Sequence, residues 1–225
     1  MSSTQTNEDG GRRGRSRTDG VKRAEILAAA TERFGRDGYE DTKWADIARD
    51  VGVGPTALYH YFESKQHCLF VILDDAIDDA LARFRRITTA EPDSVRALED
   101  VLADAFELTA LDVQRLRVLA AEHGLLALPR RSPREDRARQ AARGRTRELE
   151  LAWATFLARA MEHGAVPECD PRMLARAVLG LYNSIWGWYR PHGIIGLDVV
   201  STFYRARLLE MIGVAPGVTN ALRVA

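Results

Sequence analysis

The sequence predicts an all-α protein with about nine helices. Of its 225 residues, 46% are hydrophobic, which is enough apolar material for a packed core. Apolar residues recur at intervals of three and four along most of the chain, and no segment alternates as a β-strand does. No apolar run approaches the roughly 20 residues that span a bilayer. The polar N-terminus also lacks the apolar stretch of a secretion signal, so we expect a cytoplasmic protein.

The N-terminal segment is polar and basic. Residues 1–17 contain Ser, Thr, Gly and Arg without an apolar period, so we expect a disordered arm. The whole chain balances 32 basic against 32 acidic side chains. The stretch 11–23, however, has six basic side chains against Asp19 alone, a local charge of +5. Such an arm can bind a polyanion although the whole chain is neutral.

Three short helices follow the arm. Asp19 can cap the first helix, and Gly38 ends it. Thr42 stands at the start of a second helix over 43–50. A proline in its first turn favours a third helix over 55–61, because the missing N–H would be unsatisfied there anyway.

The second and third helices are joined by a four-residue turn with a central glycine, over 51–54. A turn of this length is typical of a helix-turn-helix motif, which places its second helix in a DNA major groove. The third helix is rich in hydrogen-bonding side chains, namely Thr56, Tyr59, His60 and Tyr61, while Ala57, Leu58 and Phe62 can face inward. Short helices joined by glycine also occur in other α-domains, so a purely structural role stays open.

The rest of the chain continues in longer helices, separated by proline and glycine. Ser64 can cap the first of them. We expect helices from Ser64 to about Ile87, near 94–109 and 112–127, and then from Pro133 to His163, Pro171 to Arg190 and Asp198 to Ile212.

The N-terminal motifs resemble a known family. Gly38-Tyr39, Thr42, Asp46-Ile47-Ala48 and the run GVGPTALYHYFESK from Gly52 to Lys65 look like the DNA-binding domain of TetR-type transcriptional repressors. The resemblance covers roughly residues 20–70. It implies a homodimer that binds a palindromic DNA operator and is released by a small-molecule effector. It implies a location at the nucleoid of a bacterium. It implies neither enzymatic activity nor a cofactor.

The resemblance also implies a division of the chain. A helix-turn-helix domain would cover residues 18–66, a helical ligand-binding and dimerisation domain residues 67–213, and a flexible tail residues 214–225. The last two long helices of the ligand-binding and dimerisation domain would pair with those of a second copy. One candidate stripe contains Leu174, Val178, Leu181 and Ile185, and the other Val199, Phe203, Leu208, Leu209 and Ile212, although either stripe can equally be internal core.

Candidate DNA-binding residues follow from the motif. Thr42 can cap the second helix or meet a phosphate, and Lys65 places a cation at a helix start, where a bound phosphate would explain it. Ala45 departs from the family pattern, which puts a contact from the second helix in doubt. The full set of candidates is Thr42, Lys43, Pro55, Thr56, Tyr59, His60, Tyr61 and Lys65.

An aromatic run near the end of the penultimate helix suggests a ligand site. Trp186, Trp188, Tyr189 and Arg190 can form apolar walls with one charged anchor. The Trp-Tyr-Arg-Pro-x-Gly part is similar to repressors that sense acyl-CoA thioesters in lipid or steroid breakdown. The arginines of the stretch 134–147 would then meet the phosphates of the ligand, or simply face solvent.

Other functions remain as alternatives. The first is a drug-sensing repressor of an efflux gene, responding to hydrophobic or cationic compounds. A non-DNA helical adaptor or an enzyme is more remote, because the sequence has no phosphate-cradling glycine loop, no paired-cysteine zinc spacing and no nucleophile elbow. We expect no metal site, and we expect Cys68 and Cys169 to be free thiols.

Overall fold

The protein is described here by a computed structural model, which covers residues 9–191 and 193–214, with side chains from residue 19 onward. The described residues form nine α-helices and contain no strand, so the predicted fold class is confirmed. The helices are α1 (Asp9–Asp37), α2 (Trp44–Asp50), α3 (Pro55–Tyr61), α4 (Lys65–Ala90), α5 (Ser94–Asp104), α6 (Ala110–Glu122), α7 (Pro133–Glu162), α8 (Pro171–Trp188) and α9 (Leu197–Ile212).

The first helix is longer than predicted. It begins at Asp9 and not at Asp19, so the predicted cap is wrong and residues 9–17 of the expected arm are helical. Residues added to an existing helix carry no new nucleation cost, which allows it to continue into a segment without apolar residues. Residues 1–8 of the arm and 215–225 of the tail lie outside the described residues.

Several predicted helix starts are confirmed by the structure. Ser64 caps α4 by accepting from the His67 N–H, and Pro55 is the first residue of α3. Helix α6 begins earlier than expected, because Thr109 and Asp112 form a reciprocal capping box in front of Ala110. A short 3₁₀ turn over His123–Ala127 follows α6 where a continuing helix was expected.

Helices α4 and α7 form the most extensive helix pair, and α4 also contacts α1, α5 and α6. The buried cluster of α1–α3 includes Ile26, Ile47 and Leu58, and it continues into Phe70 of α4 and Val118 of α6. The core of the helix-turn-helix is therefore continuous with the core of the larger half, across the predicted boundary at residue 66.

The stripes considered for dimerisation divide between core and surface. Val178 and Ile185 of α8 and Leu208 of α9 are buried within the described chain, so they are internal core. Val199 and Phe203 of α9 are exposed. Among the described residues, no helix is both long and apolar enough to cross a membrane.

Candidate DNA-binding surface and effector cavity

The turn between α2 and α3 is held by backbone hydrogen bonds. The Val53 N–H donates to the Ala48 carbonyl at 2.9 Å, and Gly52 has a φ of +66°, a region that glycine enters without steric cost. Lys22 of α1 donates to the Val51 carbonyl at 3.1 Å and fixes the turn against the first helix. The turn that leads into α3 is therefore held by contacts with both α2 and α1.

Helix α3 presents a polar face to solvent. Leu58 is completely buried, as is Phe62 just after the helix, whereas Tyr59 is 53% exposed and His60 is exposed beside it. Pro55 and Thr56 lie exposed at the beginning of the helix. This arrangement matches the sidedness that the sequence predicted for a reading helix. An exposed face of this kind can place hydrogen-bonding groups against base edges in a major groove.

Thr42 lies behind this surface. Its side chain is buried, and its hydroxyl donates to the Gly38 carbonyl at 2.7 Å. The residue at the N-cap of α2 is Lys43, which is exposed and makes no side-chain capping bond. The predicted capping role of Thr42 is therefore wrong, because its hydroxyl closes the preceding loop instead.

Lys65 is also engaged inside the protein. Its ammonium group donates to the carbonyls of Tyr39, Glu40 and Thr42 at 2.6, 3.2 and 3.0 Å and lies 4.3 Å from the centre of the Tyr39 ring. An ammonium group has three N–H donors, and these three bonds use all of them. Lys65 thus organises the loop between α1 and α2, and this loop positions the start of α2.

Two further side chains, those of Tyr61 and Arg49, lie near this surface. Tyr61 is only partly exposed, and its hydroxyl lies 3.5 Å from the Asp19 carboxylate. Arg49, which the sequence analysis did not select, is 75% exposed at the end of α2, with its guanidinium 3.0 Å from Asp46. Its signal in the sequence was only a basic residue in the last turn of a short helix, which is common at any helix end.

Comparison with known proteins identifies both halves of the chain. The profile described as "Bacterial regulatory proteins, tetR family" matches residues 26–72, which contain most of the three-helix unit. The profile described as "Tetracyclin repressor-like, C-terminal domain" matches residues 98–212, about half of the chain. The chain belongs to the TetR family. It is thus a transcription regulator with a DNA-binding helix-turn-helix, as the motif predicted.

Individual members of the TetR family resemble the chain over most of its length. The HTH-type transcriptional repressor KstR2 of Mycobacterium tuberculosis is 27% identical over 192 residues, covering 84% of this chain and 91% of the relative. KstR2 of Rhodococcus jostii is 27% identical over 193 residues, with 84% and 90% covered.

Solved structures share the fold of this TetR-family regulator. The ketosteroid transcriptional regulator KstR2 of Mycobacterium tuberculosis superposes with a TM-score of 0.69 at 25% identity, covering 87% of this chain and 95% of the other. AibR in complex with isovaleryl coenzyme A and operator DNA gives a TM-score of 0.66 at 20% identity, with 83% and 97% covered.

The larger half of the regulator contains a cavity of about 300 Å³, surrounded by α4, α5, α6, α7 and α8. This volume is at the lower end of the range for small-molecule sites, roughly 300–1,000 Å³. Its walls are mainly apolar and include Phe84, Ile87, Leu102, Leu149, Trp153 and Val178.

The charged side chains of the cavity are paired with one another. Arg83 lies 3.1 Å from Asp104, and Arg176 lies 3.6 Å from Glu150. Tyr182 donates its hydroxyl to the Ala105 carbonyl at 2.7 Å, and burial raises the pKa of this phenol. The cavity therefore offers an apolar interior whose carboxylates already have guanidinium partners. Within the described residues, no three His, Cys, Asp or Glu side chains are grouped so that they could hold a metal ion.

The four predicted ligand-binding residues do not line this cavity. Trp186 is only 1% exposed and packs with Tyr189 in an aromatic cluster behind the cavity wall. Trp188 is partly exposed, and Arg190 lies on the surface, donating to the carbonyls of Gly187 and Tyr189 at 3.4 and 3.2 Å. The aromatic run thus forms core packing and a helix end, and the structure brings a different set of residues together as a pocket.

The arginines of the stretch 134–147 also point away from the cavity. Arg139 is buried and binds Asp136 at 2.7 Å and the Leu126 carbonyl at 2.8 Å. Arg145 lies 3.1 Å from Asp78. The other four, which are Arg134, Arg137, Arg143 and Arg147, lie on the outer surface of α7. Of the two alternatives left open by the sequence, the geometry favours solvent over ligand.

Helix α6 connects the cavity to the helix-turn-helix. Leu116 and Leu119 line the cavity, while Arg117 faces α1 and donates to the Gly35 carbonyl at 3.2 Å. The same guanidinium donates to the Tyr189 carbonyl at 2.6 Å, at the end of α8. Burial, together with nearby Arg190, lowers the pKa of Arg117. One side chain of α6 therefore joins the first helix to the end of the penultimate one.

Proposed function

We propose that this regulator is a ligand-released transcriptional repressor that binds a palindromic DNA operator as a homodimer. The observation that carries the proposal is the exposed polar face of α3, on which Thr56, Tyr59 and His60 stand free of the core. These three side chains are assigned to base edges and adjacent phosphates, together with Lys43 and Pro55. KstR2, the relative named above, carries the name of a repressor, which supports the same direction of regulation.

A homodimer is supported by an exposed apolar face on the last two helices. On α8, residues spaced by three and four along one side are exposed and mostly small, namely Met173, Ala177, Gly180, Ser184 and Gly187. On α9, Phe203 is 58% exposed in the described chain. Small residues allow close helix approach, and a second copy would cover both helices. A two-fold dimer would also supply the second reading helix that a palindromic operator requires, about 34 Å from the first.

The effector is assigned to the cavity between α4 and α8, and not to the aromatic run. Its apolar walls suit an acyl chain or a fused-ring skeleton of modest size. The carboxylates of Asp104 and Glu150 are already paired with arginines, which disfavours a cationic drug as the effector. An acyl-CoA thioester fits this description if the acyl part enters the cavity and the nucleotide stays outside. Of the compared proteins, AibR is described with isovaleryl coenzyme A, an acyl-CoA thioester, and KstR2 as a ketosteroid regulator, which fits a fused-ring skeleton.

Release would pass through α6. A ligand between the walls contacts Leu116 and Leu119 on one side of α6, and the opposite side carries the contact of Arg117 with Gly35. A small displacement of α6 would therefore move α1 and change the spacing of the two reading helices. Coupling of about 1–3 kcal/mol is enough to shift operator affinity between five- and 150-fold.

The test is a titration of the protein–operator complex, followed by fluorescence anisotropy of labelled DNA from upstream of the gene itself. Acyl-CoA thioesters, the matching free acids and a cationic dye are compared as releasing agents. Leu149→Trp, which fills the cavity, should keep operator binding and lose release, whereas Arg190→Ala should keep both. Release that survives in Leu149→Trp and disappears in Arg190→Ala would place the effector at the aromatic run after all.

A further inference from the structure

The helix-turn-helix of this protein is acidic from residue 19 onward, and four arginines of the basic arm precede this part in the sequence. Residues 19–66 contain seven basic and nine acidic side chains, a net charge of −2. Of the basic ones, Arg33 is paired with Asp50, and Lys65 is used by backbone carbonyls. Affinity for DNA comes largely from neutralising phosphates, so cations from outside this segment are needed.

The beginning of α7 lies directly beside the end of the reading helix. Ser132, which caps α7, donates to the carboxylate of Glu63, and Ser64, which caps α4, donates to Glu135. The Arg134 guanidinium donates to the carbonyl of Tyr61, the last residue of α3, at 3.3 Å. The first turn of α7 is therefore a neighbour of the helix-turn-helix in space, although about 70 residues separate them in sequence.

The acidic and basic side chains at this junction differ in their surroundings. The carboxylates of Glu63, Glu135 and Asp136 are turned toward hydroxyl, backbone or guanidinium donors inside the junction. Arg131 and Arg134, by contrast, are exposed. The junction thus has exposed guanidinium groups, while its partly buried acidic groups are engaged by donors of the junction itself. Guanidinium is the side-chain group best suited to bidentate phosphate binding.

The position of the junction fits a DNA backbone. A seven-residue helix is about 10 Å long, and the major groove is about 12 Å wide. Both ends of α3 would then lie close to the phosphates that border the groove. The end formed by Tyr61 is the one that Arg134 touches.

We propose that Arg131 and Arg134, at the start of α7, bind backbone phosphates of the operator beside the end of the reading helix. The inference rests on the proposed operator binding and extends it from the helix-turn-helix to the larger half of the protein. These contacts are independent of base sequence. They supply part of the positive charge that residues 19–66 lack.

The test compares two double variants of the full-length protein by measuring operator affinity across a salt titration. The slope of log K against log salt is negative, and Arg131→Ala/Arg134→Ala should reduce its magnitude by about 1.8. This change corresponds to roughly thirtyfold weaker binding at 0.15 M salt. The control is Arg143→Ala/Arg147→Ala, which removes the same charge from exposed positions on the same helix. These lie roughly 13 to 20 Å further along and should leave the slope unchanged.

A third variant separates charge from packing. Arg131→Lys/Arg134→Lys should retain most of the slope, because the phosphates still meet cations. Thermal melting followed by circular dichroism should show the same Tm in all three variants. Equal slopes in the two alanine variants would overturn this proposal alone. Absence of any DNA binding by the unaltered protein would overturn the proposed function and this inference with it.

Discussion

The contact between α1 and α6 can be tested by a single methyl group at Gly35. A Cβ atom on this residue would lie 2.1 Å from Oε1 and 2.8 Å from Cβ of Gln114. The amide can rotate away, but the Cβ of Gln114 is fixed to the backbone of α6. Ordinary contact begins at 3.4 Å, so restoring it in Gly35→Ala separates the two helices by about 0.6 Å.

Two effects of opposite sign determine the stability of Gly35→Ala. Overpacking costs about 1–3 kcal/mol, and replacing glycine by alanine in a helix contributes about 1 kcal/mol. We expect a net loss of about 1 kcal/mol in the free energy of unfolding. The matched control is Gly144→Ala in α7, where a Cβ meets nothing within 4 Å. It should gain about 1 kcal/mol, since only the propensity effect remains.

Urea unfolding of both variants measures this difference, and operator binding without effector measures its functional consequence. Because separation of α1 from α6 imitates the displacement assigned to the effector, Gly35→Ala should bind the operator about fivefold more weakly, while Gly144→Ala should bind normally. If Gly35→Ala were stabilised as much as Gly144→Ala and bound the operator equally well, the proposed route through α6 would be refuted.

Three further substitutions test other features. Lys65→Met removes three hydrogen bonds to the α1–α2 loop, so it should lower the free energy of unfolding by about 2 kcal/mol in urea titrations; a phosphate role would instead reduce the salt slope of operator binding by about 0.9. Phe203→Glu places a charge on the proposed dimer face and should give a folded monomer of 25.1 kDa in light scattering, whereas a persistent dimer would move the interface elsewhere. Burial lowers the pKa of His67 below its ordinary 6.5. As the pH falls, the imidazole is therefore protonated in the unfolded chain before it is protonated in the folded one, and the free energy of unfolding should fall below pH 6.5. His67→Gln should flatten that decline between pH 7 and pH 5 in urea titrations, and equal declines in both proteins would exclude His67 as its source.

Local signals predicted the reading helix well. Pro55 at its first position and Gly52 in the preceding turn act on the backbone within a few residues, so the sequence alone reveals their effect. The sidedness of the helix follows from the same short range. Local signals were not sufficient for Lys65. A cation is unfavourable at a helix start, and the sequence alone suggested a bound phosphate as the explanation. The ammonium group of Lys65 instead donates hydrogen bonds to three carbonyls of a loop about 25 residues away, and no sequence pattern indicates this contact.

The cavity proposed for the effector could not be predicted for a similar reason. Its walls come from five helices, whereas the predicted site was the contiguous aromatic run around Trp186. A compact run of large side chains fills space and becomes core, while a cavity forms where side chains are small. Ala76 and Ala80 on α4 and Gly180 on α8 line it, and these small residues at helical spacing were the available signal.

The paired caps at the start of α4 and α7 bear on how such regulators can be recombined. Grafting the DNA-reading segment of another regulator onto this chain would replace Ser64 and Glu63 but leave Ser132 and Glu135 behind. Each helix would then begin opposite a carboxylate or hydroxyl that has lost its partner, and the orientation of the grafted segment would no longer be fixed. A chimera that keeps its response should therefore carry the first turn of α7 along with the reading segment, as one unit assembled from two distant pieces of sequence.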